Sequence, residues 1–159
     1  MIKKVSLAFV VIIIAIQFIK PQRNSAPVAQ PNAISTKYPV PTEVAQILKV
    51  SCNDCHSNNT KYPWYNNIQP VAWWLNDHIK EGKRKFNLDE FTTYSLKRQD
   101  HKLEELVESQ ADHWMPMESY TWTHKEALLT NKQSKLLVDW ANSTRKQIQG
   151  NPEFAILKK

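Results

Sequence analysis

The sequence predicts an all-α fold, a compact bundle of about four helices preceded by an N-terminal hydrophobic helix, and three observations lead there. Four segments carry apolar residues at helical spacing. Helix-start residues stand ahead of three of them, at Thr42, Pro70 and Thr130. Only Gly82 and Gly150 are available for the tight turns that an all-β chain would need, and there are no internal repeats.

Lys3 and Lys4 precede an uncharged run from Val5 to Ile19 that ends at Lys20-Pro21, which reads as an export signal. Fifteen helical residues rise about 22 Å, short of a hydrocarbon core of about 30 Å. No small-x-small cleavage site follows closely, and lysine stems can lengthen a span by snorkelling. Residues 1–20 are therefore read as a signal peptide or signal anchor, with the uncleaved anchor favoured. A buried core helix would need an amphipathic or central segment.

Residues 21–41 hold five prolines and no periodic pattern, and read as an extended tether. The folding unit is placed at 42–147, with a tail at 148–159. Its first helix runs from Thr42 to about Ser51 with Val44, Ile47 and Leu48 inward and Glu43 in the first turn. A second runs from Pro70 to about Lys85 with Val71, Trp74, Leu75, His78 and Ile79 on one face. A third spans about Lys97 to Asp112 on Leu103, Leu106, Val107 and Gln110 or Ala111, and Pro116 blocks its continuation. The fourth begins near Thr130, buries Leu136, Leu137, Trp140 and Ala141, and fades near Lys146.

The formal charge of +6 is concentrated at one end. Four of the 21 basic residues (Lys3, Lys4, Lys20, Arg23) lie in the first 23 positions, leaving 17 against 15 acidic residues, spread through Lys83 to Lys85, Lys97, Arg98, Arg145, Lys146, Lys158 and Lys159. A nearly neutral domain has no phosphate footprint, so nucleic acid is excluded as a partner.

Cys52-Asn53-Asp54-Cys55-His56 is a Cys-x-x-Cys-His motif, the attachment pattern of a c-type haem. Two thiols three positions apart can each add across one haem vinyl group, and the adjacent His56 is then held as the proximal iron ligand. A domain of about 120 residues without long-range disulfides gains its missing apolar centre from such a cofactor. The alternatives fit less well. A thioredoxin-type dithiol needs a βαβ context. A zinc site needs a fourth ligand from His78, His101, His113 or His124, and no second pair at finger spacing exists. A disulfide closing so short a loop stabilises little.

The distal iron position decides between electron transfer and reactive chemistry. Met115, 59 residues beyond His56, is the first choice, because Pro116 fixes the local chain and a thioether raises the potential. Met117 would point to the opposite side of an extended segment. His78, His113 and His124 compete; His101 reads as solvated. Trp64, Tyr65, Trp73, Trp74, Tyr120 and Trp122 are the candidate haem wall, with a general core role equally open for Trp73 and Trp140.

The run DCHSNNTKYPWYNNIQPVAWWLNDHIKEGKRKFN, then MPMESYTWTHKEALLT and LLVDWA, resembles the bacterial haem-binding domain family, small cytochrome c-like monohaem proteins, over about residues 42–145. Tyr62-Pro63-Trp64-Tyr65, Trp73-Trp74, His78 and Met115-Pro116 carry the likeness in order. It implies thioethers at Cys52 and Cys55, an axial ligand at His56 and a second at Met115; Met117 stands where an aliphatic residue is expected. The combined expectation is a cytochrome c-like bundle around one covalent haem c, an electron carrier rather than an enzyme. It would work in the periplasm or on the outer face of the cytoplasmic membrane, with a redox partner protein and a membrane contact through the N-terminus. The other readings are a haem peroxidase or gas or redox sensor with an open or displaceable distal site, and a haem-free dithiol or zinc module.

Overall fold

The computed structural model describes residues 2–27 and 29–156. Leu157, Lys158 and Lys159, the last three residues of the tail, lie outside them. The described residues form eight α-helices and four short 3₁₀ turns, with no strand. The helices are α1 (Ile2–Ile16), α2 (Thr42–Ser51), α3 (Asn53–His56), α4 (Val71–Lys85), α5 (Leu96–Ala111), α6 (Glu118–Thr121), α7 (Asn131–Gln149) and α8 (Pro152–Ile156). The 3₁₀ turns are Ile34–Thr36, Trp64–Asn67, Leu88–Thr93 and Lys125–Ala127.

α5 and α7 form the most extensive helix pair, with α2 against α7. Leu103 and Leu106 meet Leu137, Trp140, Ala141 and Ile148 in a core that Val44, Ile47, Leu48 and the fully buried Phe91 complete. Arg145 ties the pair at its edge, donating to Asp100 at 2.9 Å and Glu104 at 2.7 Å. It is thus half-buried and paired rather than one of the solvated charges. Ser95 caps α5 by accepting from the Arg98 amide, and Thr130 with Gln133 forms a complete capping box at α7. α7 then runs three residues past Lys146, because Thr144 and Ile148 continue its buried stripe.

The stretch read as a tether is bound to the domain for much of its length. Ile34 and Tyr38 belong to the core, Trp140 Nε1 donates to the Pro39 carbonyl at 3.0 Å, and the Tyr38 hydroxyl donates to buried Gln99 at 2.6 Å. A pair of apolar anchors flanked by Pro31 and Pro39 needs no repeated period to be buried, so hydropathy patterning does not register it. In the same way α8 buries Phe154, inside the stretch read as a tail.

α4 stands apart from this core. Its buried residues Ala72, Leu75, Asn76 and Ile79 pack against α3 and the Trp64–Asn67 turn, and none joins the α5–α7 cluster. Val71 and Trp74, predicted on its buried face, are exposed. Between α3–α4 on one side and α5–α7 on the other the packing leaves a cleft.

α1 exposes every residue from Ile2 to Ala15. It has 15 residues, and among the described residues no helix is long and apolar enough to cross a membrane.

Candidate functional site

α2 ends at Ser51, and the chain then makes one more helical turn in which the amides of Cys55 and His56 both donate to the Cys52 carbonyl, at 3.2 and 3.0 Å. Residues at i, i+3 and i+4 share a helix face. That turn therefore carries Cys52, Cys55 and His56 together onto the wall of the cleft. The two cysteines are not bonded to each other.

The cleft holds about 560 Å³, within the size range of small-molecule cofactor sites. Leu48, Leu106 and Leu137, from the three helices of the core, give its lining an apolar part, beside charged side chains such as Lys102 and Glu105.

His56 is oriented by the end of α4. Its Nδ1 lies 2.8 Å from the Phe86 carbonyl, which can only accept, so Nδ1 carries the proton and Nε2 keeps its lone pair. Burial lowers the His56 pKa, opposed by the Phe86 and Gly82 carbonyls, so the ring favours the neutral, ligating form. Burial also pushes the Cys52 thiol up to about 12, helped by Cys55, and the Cys55 thiol up to about 11, helped by Asp54. These are protonated thiols, unlike the low-pKa nucleophile of a dithiol oxidoreductase.

Gly82 sets the approach of α4 to this turn. A Cβ there would lie 2.6 Å from the Cys55 carbonyl oxygen and 3.0 Å from the Cys55 Cβ, so no other residue fits without displacing one helix. Asp54 braces the turn from the other side. Its carboxylate accepts from the Tyr120 hydroxyl at 2.8 Å and from the Lys61 amide at 3.0 Å. Burial, with Asp54 next, raises the Tyr120 pKa, so the phenol stays a donor. Tyr120→Phe leaves Asp54 with one fewer partner and is expected to cost about 1–3 kcal/mol of stability, read as a lowered denaturant midpoint.

The methionines enter from the end of α5. His113 adopts φ 55°, and the Trp114 amide reaches back to the Ser109 carbonyl at 3.2 Å, the bond that closes a Schellman turn. Buried Gln110 then donates from Nε2 to the Met115 carbonyl at 3.1 Å, while its Oε1 accepts from Ser134 of α7 at 3.1 Å. Met115 and Met117 both line the cleft. The opposite-sides expectation for Met117 fails: residues two apart in an extended segment share a face, and here the chain bends at Met115 and Pro116. The left-handed position occupied by His113 is one that glycine fills at lower cost. His113→Gly is expected to stabilise the fold by about 0.5–1 kcal/mol in a denaturation series.

His113 is exposed and off the cleft, and His124 stacks on Tyr120 with ring centroids 4.2 Å apart, behind the lining. His101 is exposed beside Glu104 and Glu105. His78 does line the cleft, with Nδ1 on the Trp74 carbonyl at 2.8 Å and its ring against Trp74. Among the described residues no three His, Cys, Asp or Glu side chains are grouped to hold a metal ion, so a zinc module finds no ligand set there.

Of the candidate aromatic wall, only Tyr120 lines the cleft. Trp64 is 76% exposed, and Trp74 and Trp122 also face outward. Tyr65 sits behind Tyr120, bonded to Thr123 at 2.9 Å and edge-on to His124. Trp73 donates to the Ile19 carbonyl and Trp140 is core. The residues that line or hold the cleft without having stood out in the sequence are Asp54, Gly82, Phe86, Gln110 and Trp114. Gly82 carries a readable signal, an isolated glycine inside a helical pattern; Gln110 carries another, an amide on a buried stripe.

A helical domain that holds two thiols and a neutral, oriented imidazole on one wall of a cleft, with leucines and thioethers also on its lining, is built as a haem site. The residues fit that group: Gly82 leaves the space, His56 the lone pair, and the cleft the volume. Residues 11–143 match the family model described as haem-binding domain, and the chain belongs to that family. No curated protein and no solved structure matches the chain.

Proposed function

We propose that the protein is a monohaem c-type cytochrome that passes single electrons outside the cytoplasm. The observation that carries this reading is the common face of Cys52, Cys55 and His56 on the cleft wall, with the imidazole Nε2 left free. Bound haem supplies a one-electron ferrous–ferric couple. Cys52 and Cys55 would hold it as thioethers, each thiol S–H adding across a vinyl group with the sulfur on one carbon and the hydrogen on the other, so that no oxidant is needed. His56, through Nε2, and Met115, through its thioether, would be the iron ligands. The Gln110 bond to the Met115 carbonyl and the Phe86 bond to His56 hold the two ligand-bearing segments in place between oxidation states. Leu48, Leu106 and Leu137 on the lining would shield that side of the haem from water and favour its reduced, less charged state.

A second reading is favoured by His78, whose Nε2 makes no hydrogen bond and which shares the cleft with two thioethers. In that reading the distal site is open or displaceable, and the protein senses or reacts. Reduction under carbon monoxide separates the two. An electron carrier titrates reversibly with one electron and leaves carbon monoxide unbound; rapid binding of the gas would favour the sensor or peroxidase.

A further inference from the structure

The segment that follows α1 is hydrogen-bonded into the domain from its first residue. Gln17 pairs both ways with the main chain of Gln69, accepting from its amide at 2.9 Å and donating to its carbonyl at 3.2 Å. The Gln69 side chain and the Trp73 indole each donate to the Ile19 carbonyl, at 2.9 and 2.8 Å. Gln69 is only 4% exposed, so removing residues 17–19 would strip buried polar groups of their partners. The strap continues inward: Asn24 donates to the Ser57 carbonyl, accepts from Lys83 and has its amide on the Tyr62 hydroxyl. The family match itself begins at residue 11, inside α1. The clamp makes the end of α1 part of the folded unit.

Around that clamp the surface is apolar. Phe18, Trp64, Ile68, Val71 and Trp74 are all exposed, on the strap, the Trp64–Asn67 turn and the start of α4, the elements that hold Gln69 and Trp73. Lys20 and Arg23 follow directly on the strap. Tryptophan with aliphatic residues, flanked by basic side chains, is the composition that settles at a lipid headgroup boundary.

We propose that this patch is a lipid-docking face, and that the clamp turns α1 and the patch into one composite membrane contact. The inference rests on the reading of α1 as a retained membrane-inserting helix. Given that reading, lipid is the occupant that the arrangement selects: from Leu7 to Ile16 α1 is apolar on all sides, and the clamp leaves no free chain between it and the patch. Any bilayer that takes up α1 therefore meets Ile68 and Val71 at its surface. A helix of 15 residues is short for a span, and a second apolar contact supplies the anchoring it lacks.

The test is co-sedimentation of the full-length holoprotein with vesicles of phosphatidylethanolamine and phosphatidylglycerol. Wild type is compared with Trp64→Ser/Ile68→Ser/Val71→Ser, with the exposed-tryptophan control Trp122→Ser, and with Val10→Lys in α1. Haem absorbance verifies that each variant is folded. The expected result is a partition coefficient lower by about tenfold or more for the triple variant, and unchanged for Trp122→Ser. If the triple variant binds like wild type while Val10→Lys does not bind, the docking face is overturned and α1 alone anchors the protein. If wild type itself stays in the supernatant, the retained-anchor reading falls and the docking face with it.

Discussion

Replacing Gly82 with alanine is expected to destabilise the domain by about 1–3 kcal/mol and to lower haem incorporation sharply. Alanine in mid-helix would ordinarily be worth up to about 1 kcal/mol in favour of α4. Here the added carbon would meet a backbone carbonyl at 2.6 Å and the Cys55 Cβ at 3.0 Å, and neither can rotate away. α4 would have to withdraw from α3. Because the Phe86 amide is tied to the Gly82 carbonyl, that withdrawal also pulls the Phe86 carbonyl from His56 Nδ1. Gly150→Ala is the internal control, since its Cβ would meet the Lys146 carbonyl oxygen at 3.3 Å and the Gln147 oxygen at 3.7 Å. Its expected cost is near zero. Denaturant midpoints and haem-to-protein ratios of the two variants check the contrast.

Met115→Ala is expected to abolish the weak near-red band that methionine sulfur gives on ferric haem, and to lower the reduction potential by on the order of 0.1 V. Met117→Ala should leave both unchanged. The geometry places both thioethers on the cleft, but only Met115 has its carbonyl held by Gln110, and so only that backbone is fixed from α5 and α7 together. Loss of the band in Met117→Ala would instead assign the ligand to Met117. Its persistence in the double variant would exclude methionine.

The helices that wall the cleft were legible because each buries one stripe. Val44, Ile47 and Leu48 in α2, Leu103 and Leu106 in α5, and Leu137, Trp140 and Ala141 in α7 announce the face that each helix turns inward. α4 was legible as a helix but not in its orientation. It packs against α3 through the small Ala72, Leu75 and the polar Asn76, and its bulky Trp74 is left outside. The thiols and His56 stood out by their spacing, and the structure brings all three to one cleft. The aromatic wall was misread because aromatics cluster in loops for several reasons: Trp73 holds the strap, Tyr65 supports Tyr120, and Trp64 faces out. The apolar lining comes instead from Phe86, Trp114 and Tyr120 together with leucines of α2, α5 and α7, which look like ordinary core in one dimension. The grip of residues 17–39 on the domain rests on single side chains such as Asn24 and Tyr38, for which no period exists.

Covalent attachment at Cys52 and Cys55 is read from the mass of the proteolytic peptide spanning residues 50–61, from protein matured in an export-competent host carrying c-type haem assembly, after acid–acetone extraction. A peptide heavier by one haem is expected, with no free thiol to alkylate, and with the haem lost from Cys52→Ala/Cys55→Ala. An unmodified peptide with two alkylatable thiols, or haem that leaves with the solvent, would contradict it.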